Sequence, residues 1–262
     1  MWWGKHMAYF ERLGADRFRA TPHVGGAWRE SEQHIAPALG LLVHAVEADR
    51  DRRRDDALQL ARLSYDILGT VPVGEVDIEV GVLRPGRTIE LVEASLGHGG
   101  RRVVLLRAWL LQHQDSSSVT GSPLPPIPAP AQVDAWDAST VWPGGFIQSI
   151  DVQRAQVEPG RASSWVRTDV PLIAGERTSD LARMCGLLDA ANGMTVRADP
   201  REVAFPNVDL TAHFFRQPQG EWLGFDTSVS FGPTGLGLTS SVLHDECGPF
   251  GALGQSLTVR PG

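Results

Sequence analysis

Hydrophobic and polar positions along the chain fall into two successions of the same kind. In the first, Ile35, Leu39, Leu42, Val43 and Val46 recur at helical spacing on one face, with Ser31 ahead of them as a cap. The charged residues 49–56 read as the exit from that helix. Four strand-like runs follow, 57–70, 75–84, 88–97 and 102–113, joined by tight turns at 84–87 (Arg-Pro-Gly-Arg) and 98–101 (His-Gly-Gly-Arg). The second succession opens with paired strands over 146–157 and 161–168. Ser179 or Asp180 then caps a helix that carries Leu181, Met184, Cys185 and Leu188 on one face. Four strand-like runs follow again, 203–216, 221–231, 235–244 and 250–259.

Between the two lies a segment, 115–145, that begins Asp-Ser-Ser-Ser and holds Pro123, Pro125, Pro126, Pro128 and Pro130. Proline offers no backbone donor to a sheet, so the segment reads as an extended linker. The chain divides accordingly into a unit at 8–114, a Pro-rich linker at 115–145 and a unit at 146–262. The halves also match in detail. Pro72-Val-Gly-Glu75 and Pro218-Gln-Gly-Glu221 repeat a Pro-x-Gly-Glu turn, Pro85-Gly86 answers Pro233 to Gly235, and Gly99-Gly100 answers Gly248. Ordered matches at one steady offset indicate a duplicated unit. Long strands grouped after a single helix point to the α+β class and not to alternating βαβ units.

Composition narrows the function. A net charge of −7 argues against nucleic acid as partner. The single lysine, Lys5, lies among residues 1–6, which are set aside from the fold argument, so lysine Schiff-base chemistry is disfavoured. No apolar run is long enough to span a membrane, and no signal peptide is visible at the N-terminus. The two cysteines, Cys185 and Cys247, cannot supply a disulfide framework. They read as small buried residues of a reducing, cytoplasmic protein.

Strong catalytic motifs are absent: there is no Gly-x-Ser-x-Gly elbow, no phosphate-cradling loop and no His-Glu-x-x-His. The cluster His244, Asp245, Glu246 and Cys247 falls at a hairpin and reads as a solvated turn in preference to a metal site. Three polar positions stand out. Asp189 follows Leu181 and Cys185 at helical spacing, at the edge of a buried stripe. Lost solvation there would raise its pKa and suit it to proton transfer, whereas a solvent-facing aspartate before the Asn192-Gly193 helix stop is the plainer reading. Asn207 shares a strand face with Asp209. Gln255 sits between Leu253 and Leu257 on an otherwise apolar face, where a buried amide must find partners.

These residues carry a family likeness. Gly-Leu-Leu-Asp-Ala-Ala-Asn-Gly at 186–193, Phe-Pro-Asn-Val-Asp-Leu-Thr-Ala-His-Phe-Phe-Arg at 205–216, Gly-Glu-Trp-Leu-Gly at 220–224 and Gly-Gln-Ser-Leu at 254–257 resemble bacterial acyl-CoA thioesterase II and the thioesterase-like proteins of actinobacteria. In the first half, Leu-Arg-Pro-Gly at 83–86 is similar to the family's turn. The resemblance implies a double hotdog: two tandem units, each a central helix wrapped by a bent antiparallel sheet. It also implies hydrolysis of a fatty acyl-CoA without a cofactor, and association of the double units into a dimer or larger assembly. The family's water-activating aspartate falls on Asp189 (Asp180 being the alternative) and its glutamine on Gln255. Its threonine position holds Asn207, a departure. The resemblance gives Asp189 the role of base or anchor for the attacking water, with Asn207 and Gln255 holding that water and a backbone N–H near a helix N-terminus polarising the carbonyl. By the repeat, Gln255 corresponds to about Trp109 in the first half. A non-catalytic acyl-ligand binder is the alternative function. A hotdog hydratase is disfavoured, because His34 has no evident acidic partner in the sequence.

Overall fold

A computed structural model describes residues 7–26, 28–56 and 58–262; the single lysine, Lys5, lies outside them. The first half runs β1 (Phe10–Arg12), β2 (Arg17–Ala20), β3 (Gly25–Gly26), β4 (Arg29–Gln33), α1 (Ile35–Arg53), β5 (Gln59–Ile67), β6 (Glu75–Arg84), β7 (Ile89–His98) and β8 (Arg101–Leu111). The second runs α2 (Gly145–Gln148), β9 (Ile150–Glu158), β10 (Arg161–Thr168), α3 (Asp180–Cys185), α4 (Ala191–Met194), β11 (Val203–Ala204), β12 (Asp209–Phe214), β13 (Leu223–Phe231), β14 (Leu236–Asp245), β15 (Gly248–Thr258) and β16 (Arg260–Pro261).

Every residue from 35 to 43 is buried, so α1 is enclosed on all sides over its first half. Pro37 falls within its first turn, where the missing N–H costs no helical hydrogen bond. The helix continues through the charged residues to Arg53 and does not end at Asp49. Arg50, Arg52 and Arg53 occupy the last turn, where cations complement the helix dipole. Two arginines of this stretch are tied to the sheet. Arg53 and Arg54 donate to the buried carboxylate of Glu90 at 2.8 and 3.3 Å. The cap is His34, three residues beyond the expected Ser31, which belongs to β4.

Twelve strands form one antiparallel sheet. Outward from a central seam the order is β5-β8-β7-β6-β2-β1 on one side and β12-β15-β14-β13-β10-β9 on the other. The two series run in parallel: each half places its strands in the same succession. The seam pairs residues 62–66 with 209–213, and the Ser64 and Thr211 hydroxyls meet across it at 3.1 Å. Register along the seam also corrects the expected correspondence of Gln255. Ser64 stands opposite Arg107 and Thr211 opposite Gly254, so Gln255 corresponds to Ala108 and not to Trp109. A shift of one residue moves a side chain to the other face of a sheet.

The helices differ between the halves. Whereas α1 has 19 residues, α3 has six and stops at Cys185, capped by Gly186. A 3-10 turn over Leu188–Ala190 and the short α4 complete what the sequence suggested was one helix. The two helices cross at Gly40, where an added Cβ would lie 2.6 Å from the carbonyl oxygen of Ala182 and 2.8 Å from Gly186 Cα. Gly40→Ala is therefore expected to lower stability by about 1–3 kcal/mol through overpacking, although alanine is the better helix former. A fall in Tm measures it.

The expected strand over 146–157 starts instead with α2, so β9 begins at Ile150. Gly144 and Gly145 allow this: a Cβ on either would collide with backbone of residues 22–26. The Pro-rich segment is strand-free, yet it is fastened to the second half. Pro128 O accepts from Trp165 Nε1 at 2.8 Å, and Pro125 O makes a 3.1 Å contact with His244 Nε2. Farther along the same segment, Trp142 is buried and donates through Nε1 to Gly193 O. No helix among the described residues is long and apolar enough to cross a membrane.

Two polar expectations change here. His244 and Asp245 are buried, not solvated. The bidentate guanidinium of Arg216 holds Asp245 at 2.5 and 2.7 Å, and the N–H groups of Gln219 and Cys247 donate to it. Cys185 is buried as expected, but Cys247 is exposed in the hairpin.

Candidate active site

The break after α3 turns the chain so that Asp189 points inward. It lies on the 3-10 turn, not on the helical stripe expected, yet is only 7% exposed. The plainer reading, a solvent-facing aspartate, is overturned. Asp180, the alternative, is exposed at the start of α3, 3.4 Å from Arg183.

Pro206 interrupts the expected strand 203–216 between β11 and β12, and Asn207 sits in that break, bridged to Leu257. From there Asn207 Nδ2 donates to Asp189 Oδ1 at 2.7 Å. Gln255, on β15 and 1% exposed, donates to the same oxygen from Nε2 at 3.1 Å. The three side chains picked from the sequence thus meet at one carboxylate oxygen. Asp209 does not join them. Its carboxylate accepts from the Ser256 N–H, and only its backbone oxygen touches Asn207.

One N–H from each of the Asn207 and Gln255 amides donates to Asp189, an arrangement that fixes the orientation of the carboxylate. Gln255 Oε1 is buried and has no protein partner among the described residues. A buried acceptor left without a protein partner leaves room for a bound water. Burial pushes the Asp189 pKa up to about 7, against the smaller lowering effect of the two amide donors. Near neutral pH the carboxylate is close to half ionised, which suits proton transfer.

The acid borders a cavity of about 250 Å³ whose walls come from both halves. Ile35, Ile67 and Val71 line it from the first half, Trp142 from the end of the Pro-rich segment, and Met194 and Pro206 from the second half. Trp28, 41% exposed, meets Trp142 and Phe205 edge-on at 5.1 and 5.5 Å between ring centroids. The result is a mainly apolar slot with a minority of polar side chains on its lining, Asp189, His34 and Asn207 among them, the usual form of a small-molecule site.

His34, set aside in the sequence for want of an acidic partner, stands beside this carboxyl. It caps α1, borders the cavity and has Nδ1 3.8 Å from Asp189 Oδ2. The expectation that it lacks an acidic partner is corrected. The separation nevertheless exceeds hydrogen-bond length, and the nitrogen nearest Asp189 already accepts a backbone N–H, from Ala36 at 3.2 Å. His34 and Asp189 therefore do not form a directly hydrogen-bonded pair. A signal was present in the sequence: a lone histidine at the mouth of an apolar helix.

Residues 25–112 match the family model of the acyl-CoA thioesterase N-terminal domain, and residues 123–259 match that of the acyl-CoA thioesterase C-terminal domain. The chain belongs to the acyl-CoA thioesterase family and is a thioester hydrolase. The second match takes in most of the Pro-rich segment. Among solved structures, a conserved protein of unknown function with a hotdog fold from Alicyclobacillus acidocaldarius is 16% identical over 98% of this chain and 97% of its own, with a TM-score of 0.76. An acyl-CoA thioesterase II from Mycobacterium marinum is 17% identical over 97% and 96%, with a TM-score of 0.65. A dehydratase domain from Mycobacterium tuberculosis, solved with C12:1-CoA, is 15% identical over 91% and 89%, with a TM-score of 0.55. The fold is therefore a hotdog fold. No curated protein matches the sequence.

Proposed function

We propose that the chain is two tandem hotdog units, at 8–114 and 146–262, that together hydrolyse a fatty acyl-CoA thioester to free acid and CoA. The matching strand order on either side of the seam supports the tandem reading. The single observation that carries the chemistry is the buried Asp189 carboxyl, anchored at Oδ1 by Asn207 and Gln255 and bordering an apolar slot. Asp189 Oδ2, which receives neither amide donor, takes the proton of the attacking water. Asn207 and Gln255 fix the carboxylate and offer their side-chain oxygens to that water. Asparagine performs this orienting task as the family's threonine would, because the contact needs only a donor. The acyl chain lies in the slot walled by Trp142, Ile35 and Val71, so the first half contributes to the pocket while the second carries the base.

The test is the pH dependence of kcat/KM for thiol release from an acyl-CoA. A base must be ionised to act, and burial holds this one at about 7. Activity should climb with pH through about 7 and level off above it. A profile already flat from pH 5 upward would exclude a raised carboxyl as the base.

A further inference from the structure

Hydrolysis through Asp189 also needs a group that stabilises the negative charge on the carbonyl oxygen, a task the family resemblance gives to an unspecified backbone N–H near a helix N-terminus. His34 has the chemistry and the place. Its Nδ1 accepts the Ala36 N–H, and an accepting ring nitrogen carries a lone pair, so the proton of the neutral ring is on Nε2. The ring plane is fixed by Phe146, whose centroid lies 4.1 Å away at 31°. The backbone is fixed too, since the His34 N–H donates to Val24 O at 2.7 Å. No acceptor for Nε2 is present among the described residues. The ring borders the cavity that Asp189 and Asn207 also border, with Nδ1 3.8 Å from Asp189 Oδ2.

We infer that His34 is a catalytic residue whose Nε2–H donates to the thioester carbonyl oxygen and to the oxyanion formed from it. The inference rests on the reading of Asp189 as the base. Burial lowers the ring's pKa to about 3, so it stays neutral and keeps that single N–H throughout the working pH range. In the addition step, the water oxygen bonds to the carbonyl carbon and its proton passes to Asp189. The carbonyl π electrons move onto the oxygen held by His34. On collapse the C–S bond breaks, and the proton on Asp189 passes to the departing thiolate. His34 keeps its proton in both steps. A preorganised neutral donor of this kind stabilises developing charge without moving a proton.

Two substitutions separate this role from helix capping. His34→Asn retains a strong cap for α1 but has no N–H at the position of Nε2. His34→Gln places an amide N–H farther out. With thiol release as the assay, His34→Asn should keep Tm within about 2 °C. Its kcat should fall about 10²- to 10³-fold, with KM changed by less than about threefold. His34→Gln should recover about tenfold of the lost kcat. If His34→Asn turns over like the parent while Asp189→Asn is slow, the proposal fails and the base reading stands. If Asp189→Asn is itself as fast as the parent, both fail. Imidazole ¹⁵N NMR on the parent protein gives a readout independent of turnover. It should show His34 protonated at Nε2 and bare at Nδ1 between about pH 5 and pH 8; a proton on Nδ1 overturns the proposal.

Discussion

At pH 8, Asp189→Asn should hydrolyse acyl-CoA about 10²- to 10⁴-fold more slowly than the parent, the usual contribution of a general base, and it should also melt at a higher temperature. Both effects come from one cause. The carboxyl is almost fully buried, and desolvation raises its pKa from the ordinary 3.8 to about 7. The unfolded chain ionises Asp189 near the ordinary value, while the folded chain resists until about 7. No penalty exists below both values. It grows as pH rises between them and is complete above the folded pKa, amounting to roughly 4 kcal/mol at most. Asparagine has nearly the same shape and can still accept the Asn207 and Gln255 amide donors at its Oδ1. It carries no charge to bury. The variant's Tm advantage should therefore be near zero at about pH 4 and largest at pH 8, as melting curves across that range would show. An equal loss of Tm at both ends would mean that the Asp189 charge carries no uncompensated burial cost.

Arg216→Ala should lower stability by about 3–5 kcal/mol, because it leaves a buried carboxylate without its counter-charge. Asp245 is 1% exposed and receives two guanidinium bonds from Arg216. Those bonds, with the amides of Gln219 and Cys247, hold its pKa below the ordinary carboxylate value even though burial alone would raise it. The carboxylate therefore adds stability above the unfolded pKa, and that share disappears as pH falls through the lower folded value. Asp245→Asn in the Arg216→Ala background should recover much of the loss, since a neutral amide needs no counter-charge. A double-mutant cycle in urea isolates the coupling. Additive losses would show that the two residues do not act as a pair.

Much of the sheet was legible because strand alternation and turn residues are local. The runs 75–84, 88–97 and 102–113 differ from β6, β7 and β8 by no more than two residues at either end. The repeated Pro-x-Gly-Glu turn marked where each half's long hairpins begin. Gln255 was legible for a related reason: a polar side chain interrupting an apolar strand face needs a partner. Asp189 was found through the wrong local structure. The helical period places it beside Leu181 and Cys185, but Gly186 ends the helix, and burial comes from the turn that follows. Asn207 pointed to the site through family likeness alone, since the turn made by Pro206 is what aims it at Asp189. His34 was invisible as a partner because its approach to Asp189 depends on α1 meeting α3 at Gly40, a contact between distant parts of the chain. Asp245 was misread for the same kind of reason. A turn of polar residues looks solvated until Arg216, from another strand end, is folded against it.

Thiol release from acyl-CoAs of increasing chain length by the unmodified protein, followed with a thiol reagent at pH 8, tests the central claim most directly. The site predicts catalytic turnover, with free CoA accumulating beyond one equivalent per chain and Asp189→Asn reducing it to near background. Saturable binding of the same acyl-CoAs with no thiol released would contradict hydrolysis and leave a protein that holds acyl ligands without cleaving them.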